Sequence, residues 1–280
     1  RVHQFPDGAA QVGTPDWGDA DCTRPPGAEF GPHGTHLHQL TDGSWRYLVV
    51  NHGAREALEL FEVWQESGQY RMAWRGCVPA APDTLMNDVV GLSDGDLVYS
   101  KMFAYEGMWP MVKSLIGIPT GELWRWNRET GLAPLPATAA AQPNGLEISP
   151  DNRFVFADMY MEGEVWKVDL DSGQVVASAP IASADNSAWG SDGRLYVATH
   201  TGGLSDIAAC FTDQKATCGA QFEIVALDPD TMASESVFKH SGPPMGAATV
   251  AVPQAGRVWM GSFAGDRMIS VPDFTAAGGQ

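Results

Sequence analysis

The chain has 280 residues, a length at which an all-β protein buries one sizeable core as a single domain. Its 34 acidic against 17 basic residues give a formal charge of -17, which repels phosphate backbones and anionic membranes and excludes nucleic acid as a partner. No run approaches the roughly 20 apolar residues of a membrane span, and Arg1-Val2-His3-Gln4 lacks the apolar stretch of a signal peptide.

In chain order, Arg1 to Phe5 followed by Asp7-Gly8 reads as the third strand of a blade and its turn. From Pro32 onward one unit recurs: an inner strand, a tight hairpin, a second strand, a loop, a third strand, a turn and an outer strand. The inner strands open at Pro32-His33-Gly34-Thr35, Met86-Asn87-Asp88-Val89, Pro143-Asn144-Gly145-Leu146, Ala184-Asp185-Asn186-Ser187 and Met245-Gly246-Ala247. Hairpin signals follow at Asp42-Gly43, Asp94-Gly95, Asp151-Asn152, Asp192-Gly193 and Ala255-Gly256, each before an aromatic or β-branched run such as Trp45 to Val50 or Leu195 to Val197. Third strands are expected around Leu60 to Trp64, Leu123 to Trp126, Val165 to Val168, Ile224 to Leu227 and Met268 to Val271.

A four-strand pattern returning every 40 to 60 residues or so is the signature of β-propeller blades rather than of a sandwich or solenoid. Five inner strands plus the partial N-terminal unit predict a six-bladed propeller of four-stranded blades. Residues 1–280 form one domain on this reading, and the first blade lacks its inner strands. The only expected break is a short apolar helix over 106–117, placed to cover one mouth of the axis.

Four cysteines allow two bridges. Cys210 and Cys218 bracket a short polar loop that a disulfide could close, and Cys22 with Cys77 would then form a second bridge; four buried or reduced thiols are the alternative, and bridges, if formed, place the protein in a periplasm or outside the cell.

Asn87, Asn144 and Asn186 occupy one phase of three repeats, with Asp88 and Asp185 beside them. If the repeats surround an axis, these side chains meet, and amide oxygens with one or two carboxylates suit Ca²⁺ better than Zn²⁺ or Mg²⁺. The run His33-Gly34-Thr35-His36-Leu37-His38 invites zinc, but strand alternation turns His33 away from His36 and His38 unless the strand breaks at Gly34. His33 shares the phase of Asn87, and His52 ends the neighbouring strand, so the two form a candidate base and proton partner. No Gly-x-Ser-x-Gly, P-loop or dinucleotide motif is present, which leaves metal-assisted attack by water.

Phe30-Gly31-Pro32-His33-Gly34, Leu48-Val49-Val50-Asn51-His52, Asn87-Asp88-Val89-Val90, Pro143 to Asp151, Asp185-Asn186 and Ala248-Thr249-Val250-Ala251 occur in an order that resembles the paraoxonase family of calcium-dependent lactonases and arylesterases, within the gluconolactonase-like six-bladed propellers. The resemblance implies that His33 is the general base and His52 its partner. It implies that Asn87, Asn144, Asp185 and Asn186 bind a catalytic Ca²⁺, with Asp185 in the reacting centre as well. Asp88 and the carbonyl of Thr35 would hold a second, structural Ca²⁺. The family's acidic pair from the first inner strand has no counterpart in this sequence.

The implied reaction is opening of a lactone or aryl ester, the cation polarising the carbonyl while His33 deprotonates water. Met102, Phe103, Trp109, Met111, Tyr160 and Met161 are the expected apolar pocket lining, suggesting a lipophilic small-molecule substrate. A sugar lactonase of the gluconolactonase type and a non-catalytic ligand-binding propeller are the competing readings.

Overall fold

The computed structural model describes residues 16–104, 109–212 and 217–274. Its contacts divide the chain into two compact units, Arg1–Phe154 with Leu170–Gln174, and Val155–Asp169 with Val175–Gln280.

The first unit contains β1 (Pro32–Gln39), β2 (Trp45–Asn51), β3 (Ala57–Glu66), β4 (Gln69–Pro79), β5 (Leu85–Gly91), β6 (Leu97–Phe103), helix α1 (Trp109–Leu115), β7 (Leu123–Asn127), β8 (Gly131–Pro134) and β9 (Pro143–Ile148). The second contains, but for the boundary residues Phe154 and Gln174, β10 (Phe154–Met159), β11 (Glu164–Asp169), β12 (Gln174–Pro180), β13 (Ala184–Trp189), β14 (Leu195–His200), helix α2 (Leu204–Thr212), β15 (Phe222–Leu227), β16 (Ser234–His240), β17 (Ala248–Gln254), β18 (Arg257–Ser262) and β19 (Ile269–Pro272).

Strands follow one another in space as in sequence, in the orders β1-β2-β3-β4, β5-β6-β7-β8, β12-β11-β10-β9, β13-β14-β15-β16 and β17-β18-β19. The architecture is all-β, with five propeller-type blades among the described residues. This corrects the expected six: each of the five legible inner strands starts a sheet, and the count of six rested on residues 1 to 5, which lie outside the described residues. The last sheet has three strands among the described residues.

The turns explain why the hairpins fall where they do. Gly43, Gly95, Gly193 and Gly256 have φ of 87°, 106°, 80° and 74°, and Asn152 takes their place at 60°. That left-handed region is accessible to glycine and, at modest cost, to asparagine. Each turn then delivers a strand whose faces alternate. In β2, Leu48 and Val50 pack with Leu58, Leu60, Val89, Leu97 and Trp126, whereas Val49 packs on the opposite face with Phe61, Trp74 and Cys77. In the second unit Tyr196, Phe222, Ile224, Ala248, Val258 and Met260 make the equivalent apolar layer. Each such leucine, valine or phenylalanine contributes about 1.5–3 kcal/mol by leaving water.

Helix α1 lies inside the expected helical stretch, of which residues 106–108 fall outside the described residues. Helix α2 was not expected, although Leu204, Ile207, Ala208 and Phe211 carry the 3.6-residue spacing of one helix face. No helix among the described residues is long and apolar enough to cross a membrane.

Both expected disulfides form, Cys22–Cys77 with Cα atoms 5.6 Å apart and Cys210–Cys218 with 5.1 Å. The first pins the segment that precedes β1 to the end of β4, beside hydrogen bonds from the Trp17 amide to Arg75 O (3.0 Å) and from the Asp19 amide to Cys77 O (2.9 Å). It spans 55 residues of chain against 8 for the second. Loop-closure entropy therefore predicts a loss of about 4 kcal/mol on opening the first and about 2.5 kcal/mol on opening the second. Urea unfolding of Cys22→Ser/Cys77→Ser beside Cys210→Ser/Cys218→Ser measures both, and an equal or larger loss in the second variant would contradict the ranking.

Candidate active site in the first unit

Four inner strands carry one extra residue near their start. The pairing jumps between Pro32 and Thr35, Met86 and Val89, Ala184 and Ser187, and Ala248 and Val250. A bulge interrupts the alternation of faces and re-aims the residues inside it. The residues so placed are His33-Gly34, Asn87-Asp88, Asp185-Asn186 and Thr249.

In β1 the bulge separates His33 from the other two histidines of its motif. His33 Nδ1 lies 2.7 Å from Nε2 of His52, the residue that follows β2. His36 instead accepts the Gly91 amide on Nδ1 (3.1 Å) and stacks on His38, whose Nε2 accepts from Arg46 (3.1 Å from Nε). The three imidazoles therefore have separate partners and form no zinc triad. Gly91 has to be glycine, because a Cβ there would lie 2.0 Å from the His38 ring.

His33 sits at the solvent edge. Burial of the inner part of its environment, and then the charge of His52, lower its pKa to about 4, against an opposing pull from Glu56. The ring is neutral at pH 7 and able to accept a proton. His52 turns its other nitrogen, Nδ1, to the Glu56 carboxylate at 2.9 Å.

A buried polar cluster supports the pair. Asn51 Oδ1 accepts the amides of Gly31 (2.9 Å) and Gly53 (2.8 Å), which flank the two histidines, and its Nδ2 donates to Glu59 (3.1 Å). Glu59 is wholly buried and also accepts from Arg55 (2.8 and 2.7 Å) and from the Trp74 indole (2.8 Å). Its two oxygens are thus filled by donors, the condition under which a buried carboxylate is tolerated.

The oxygen donors of β5 lie beside β1, and β9 packs in turn against β5. A Cβ on Gly34 would come within 2.3 Å of Asp88 Oδ1 and 2.5 Å of the Asn87 carbonyl, so the missing side chain is what lets the β1 bulge rest on the β5 bulge. Asp88 accepts the Leu146 amide (2.9 Å), its own amide donates to Ser100 Oγ (3.1 Å), and Ser100 donates to the Asn144 carbonyl (2.6 Å). Burial raises Asp88 to about 7 in spite of the amides of Leu146 and Val89. Glu147 is likewise raised to about 8 by burial first, with Asp88's charge adding to it. Asn144 Oδ1 is buried and has no hydrogen-bond partner.

Glu147 has His36 Nε2 at 3.9 Å and Asp88 has no basic side chain paired with it among the described residues; the lone amide oxygen and the Asp88 carboxyl fit a hard, oxygen-seeking cation. Among the described residues no group of three or more His, Cys, Asp or Glu forms a metal-ligand cluster, so any such centre relies on amide and backbone oxygens. Thr35, whose carbonyl was expected at a second ion, is exposed on β1.

In the second unit Asp185 accepts from Asn186 Nδ2 (3.0 Å), which also donates to the Thr249 carbonyl (2.9 Å). His200, at the end of β14, has Nδ1 2.9 Å from the Tyr160 phenol oxygen, while its buried Nε2 lies 3.5 Å from Asp185 Oδ2 without forming a hydrogen bond. Burial lowers His200 to about 4; burial and then Asp185's charge raise Tyr160 to about 12.

The expected apolar lining is dispersed in character. Met102 Sδ receives the Asn87 amide hydrogen (3.5 Å), and Phe103 is buried. Trp109 and Met111 lie exposed on α1, while Tyr160 and Met161 are half-buried after β10. Sequence reasoning missed Glu56, Glu59, Glu147 and His200. Glu56 stands four residues after His52, but only the turn through Gly53 brings it back to the ring.

No protein-family model matches the chain, nor does any curated protein. Among solved structures, a gluconolactonase from Xanthomonas campestris is similar with a TM-score of 0.49 and 15% identity, over 84% of this chain and 70% of its own. The periplasmic gluconolactonase of Pseudomonas aeruginosa is similar with a TM-score of 0.49 and 15% identity, over 84% and 65%. A chain of the nidogen/laminin complex reaches 0.49 at 8% identity, over 88% and 77%. Membership of the paraoxonase family is not shown by these neighbours, and likeness at this level carries no activity or substrate to the present chain.

Replacing Glu59 by Gln puts an amide NH₂ against Arg55, Asn51 or Trp74, all donors. The expected cost is about 2–4 kcal/mol. Chemical denaturation of Glu59→Gln measures it, and a midpoint equal to wild type would show that the cluster does not support this part of the blade.

Proposed function

We propose that the protein is a hydrolase of cyclic and aryl esters, with His33 as the base that activates water and His52 as its partner. The observation that carries this reading is the 2.7 Å bond between His33 Nδ1 and His52 Nε2 at a solvent-accessible edge, backed by a carboxylate. A neutral imidazole whose second nitrogen is engaged presents its remaining nitrogen to a water molecule.

In the reaction, water loses a proton to His33 and the hydroxide forms a bond to the carbonyl carbon. The C–O bond of the ring or aryl ester then breaks, and the leaving oxygen takes the proton back. The donor chemistry suits Ca²⁺: Asn87 and Asn144 would hold it in the first unit, and Asp185 and Asn186 offer oxygens in the second. Bound there, the ion supplies polarisation of the carbonyl and charge for the oxyanion. A structural second Ca²⁺ at Asp88 and the Thr35 carbonyl belongs to the same reading.

Met102 beside Asn87 favours a lactone carrying an apolar chain over a polyhydroxylated one. Two disulfides accord with a periplasmic or secreted protein.

A panel of alkyl lactones, gluconolactone and phenyl acetate, assayed with and without chelator, tests the proposal. Hydrolysis of alkyl lactones should vanish on chelation and return with Ca²⁺, and His33→Gln should lower kcat by about 100-fold or more. Undiminished turnover in His33→Gln would remove the assigned base. Faster turnover of gluconolactone would replace the lipophilic substrate with a sugar lactone, and no turnover of any ester would favour a ligand-binding protein.

A further inference from the structure

We propose that Glu56 is a positioning residue that sets the direction of the hydrogen bonds through His52 and His33, leaving Nε2 of His33 as the bare nitrogen that takes the proton. The inference rests on the reading of His33 as base and deepens it.

The direction follows from which atoms can donate. The Glu56 carboxylate receives the Met86 amide on Oε1 (2.7 Å) and faces His52 Nδ1 with Oε2 at 2.9 Å and Oε1 at 3.0 Å. A carboxylate only accepts, so His52 carries its proton on Nδ1. A neutral imidazole has one N–H, and His52 Nε2 is therefore an acceptor. The atom 2.7 Å from it, His33 Nδ1, must donate. His33 then has its proton on Nδ1 and a lone pair on Nε2.

Without the carboxylate the two-ring chain has no preferred sense. Reversed, with His52 Nε2–H donating to His33 Nδ1, it would place the only His33 proton on Nε2 and disable the base. The same arrangement disposes of charge. When His33 Nε2 accepts a proton from water, its Nδ1 proton can pass to His52 Nε2, giving an imidazolium at His52 paired with the Glu56 carboxylate.

Glu56 is itself held at both ends. Its carbonyl accepts the Ala80 amide (3.0 Å), and the Met86 amide that holds its side chain belongs to the residue before Asn87. The carboxylate thus joins the proton chain to the start of the β5 bulge. No sequence spacing announces it, since His52 and Glu56 lie in a connecting turn rather than on a helix where four residues would share a face.

The test is long-range ¹H–¹⁵N NMR of the histidine rings in the whole chain at neutral pH, on wild type and on Glu56→Gln, with kinetics on an alkyl lactone. In wild type, His52 and His33 should both show Nδ1–H and bare Nε2. In Glu56→Gln, the amide oxygen stays on the Met86 amide and the NH₂ faces His52 Nδ1, so both rings should switch to Nε2–H. With the base nitrogen protonated, kcat should fall about 100-fold with KM within about twofold.

A wild-type His52 with its proton on Nε2 overturns the inference and needs no variant to fold. Unchanged tautomers in Glu56→Gln overturn it as well, whatever the rate. Activity retained in His33→Gln removes the base assignment while the NMR result stands or falls separately, so the two failures are distinguishable.

Discussion

One added residue near the start of an inner strand is the constraint on which the candidate site depends. A regular strand sends neighbouring side chains to opposite faces, which would put His33 and His36 at odds and part Asn87 from Asp88. The shift of pairing in β1 and β5 removes that rule for two residues in each strand. It releases His33 to His52, and it lets the Asp88 carboxylate receive the Leu146 amide of β9. Gly34 makes the bulges compatible, because no side chain larger than hydrogen fits against Asp88.

The polar groups that follow from this geometry are arranged by an unequal division of satisfaction. Glu59, Asn51, Arg55 and Trp74 complete one another's hydrogen bonds and hold the two glycines that flank the histidines. That cluster gives rigidity without reactivity. Asn144 Oδ1 is left without a partner, Asp88 has no basic side chain paired with it among the described residues, and Asp88 and Glu147 are pushed well above the usual carboxylate range by burial. A protein tolerates such deficits where something else completes them. The contrast within one unit separates scaffold from site more sharply than residue type does.

The fold was largely legible because its signals are local. The Asp-Gly turns before β2, β6 and β14 name residues that must take a positive φ, and all three do. Alternation in β2 and the spacing of Cys210 and Cys218 are equally short-range. The number of blades was not local, since it hung on five N-terminal residues and a family pattern, and the described residues form five sheets instead of six. Helix α2 is not legible in the same way, because nine residues of helical spacing inside a loop of a strand repeat give only two turns of signal.

His33, His52, Asn87, Asn144, Asp185 and Asn186 were singled out from the sequence by type and by phase in the repeat. The sequence by itself determined the strand repeat, the turns and the supply of imidazole and oxygen side chains, because those depend on backbone preference and on neighbours a few residues away. Tertiary structure alone decided that Glu56 closes on His52, that Glu59 is saturated and Asn144 is not, and that His200 stands between Tyr160 and Asp185. Hydrogen-bond direction and burial belong to pairs of atoms brought together by folding, and no single position in the chain encodes them.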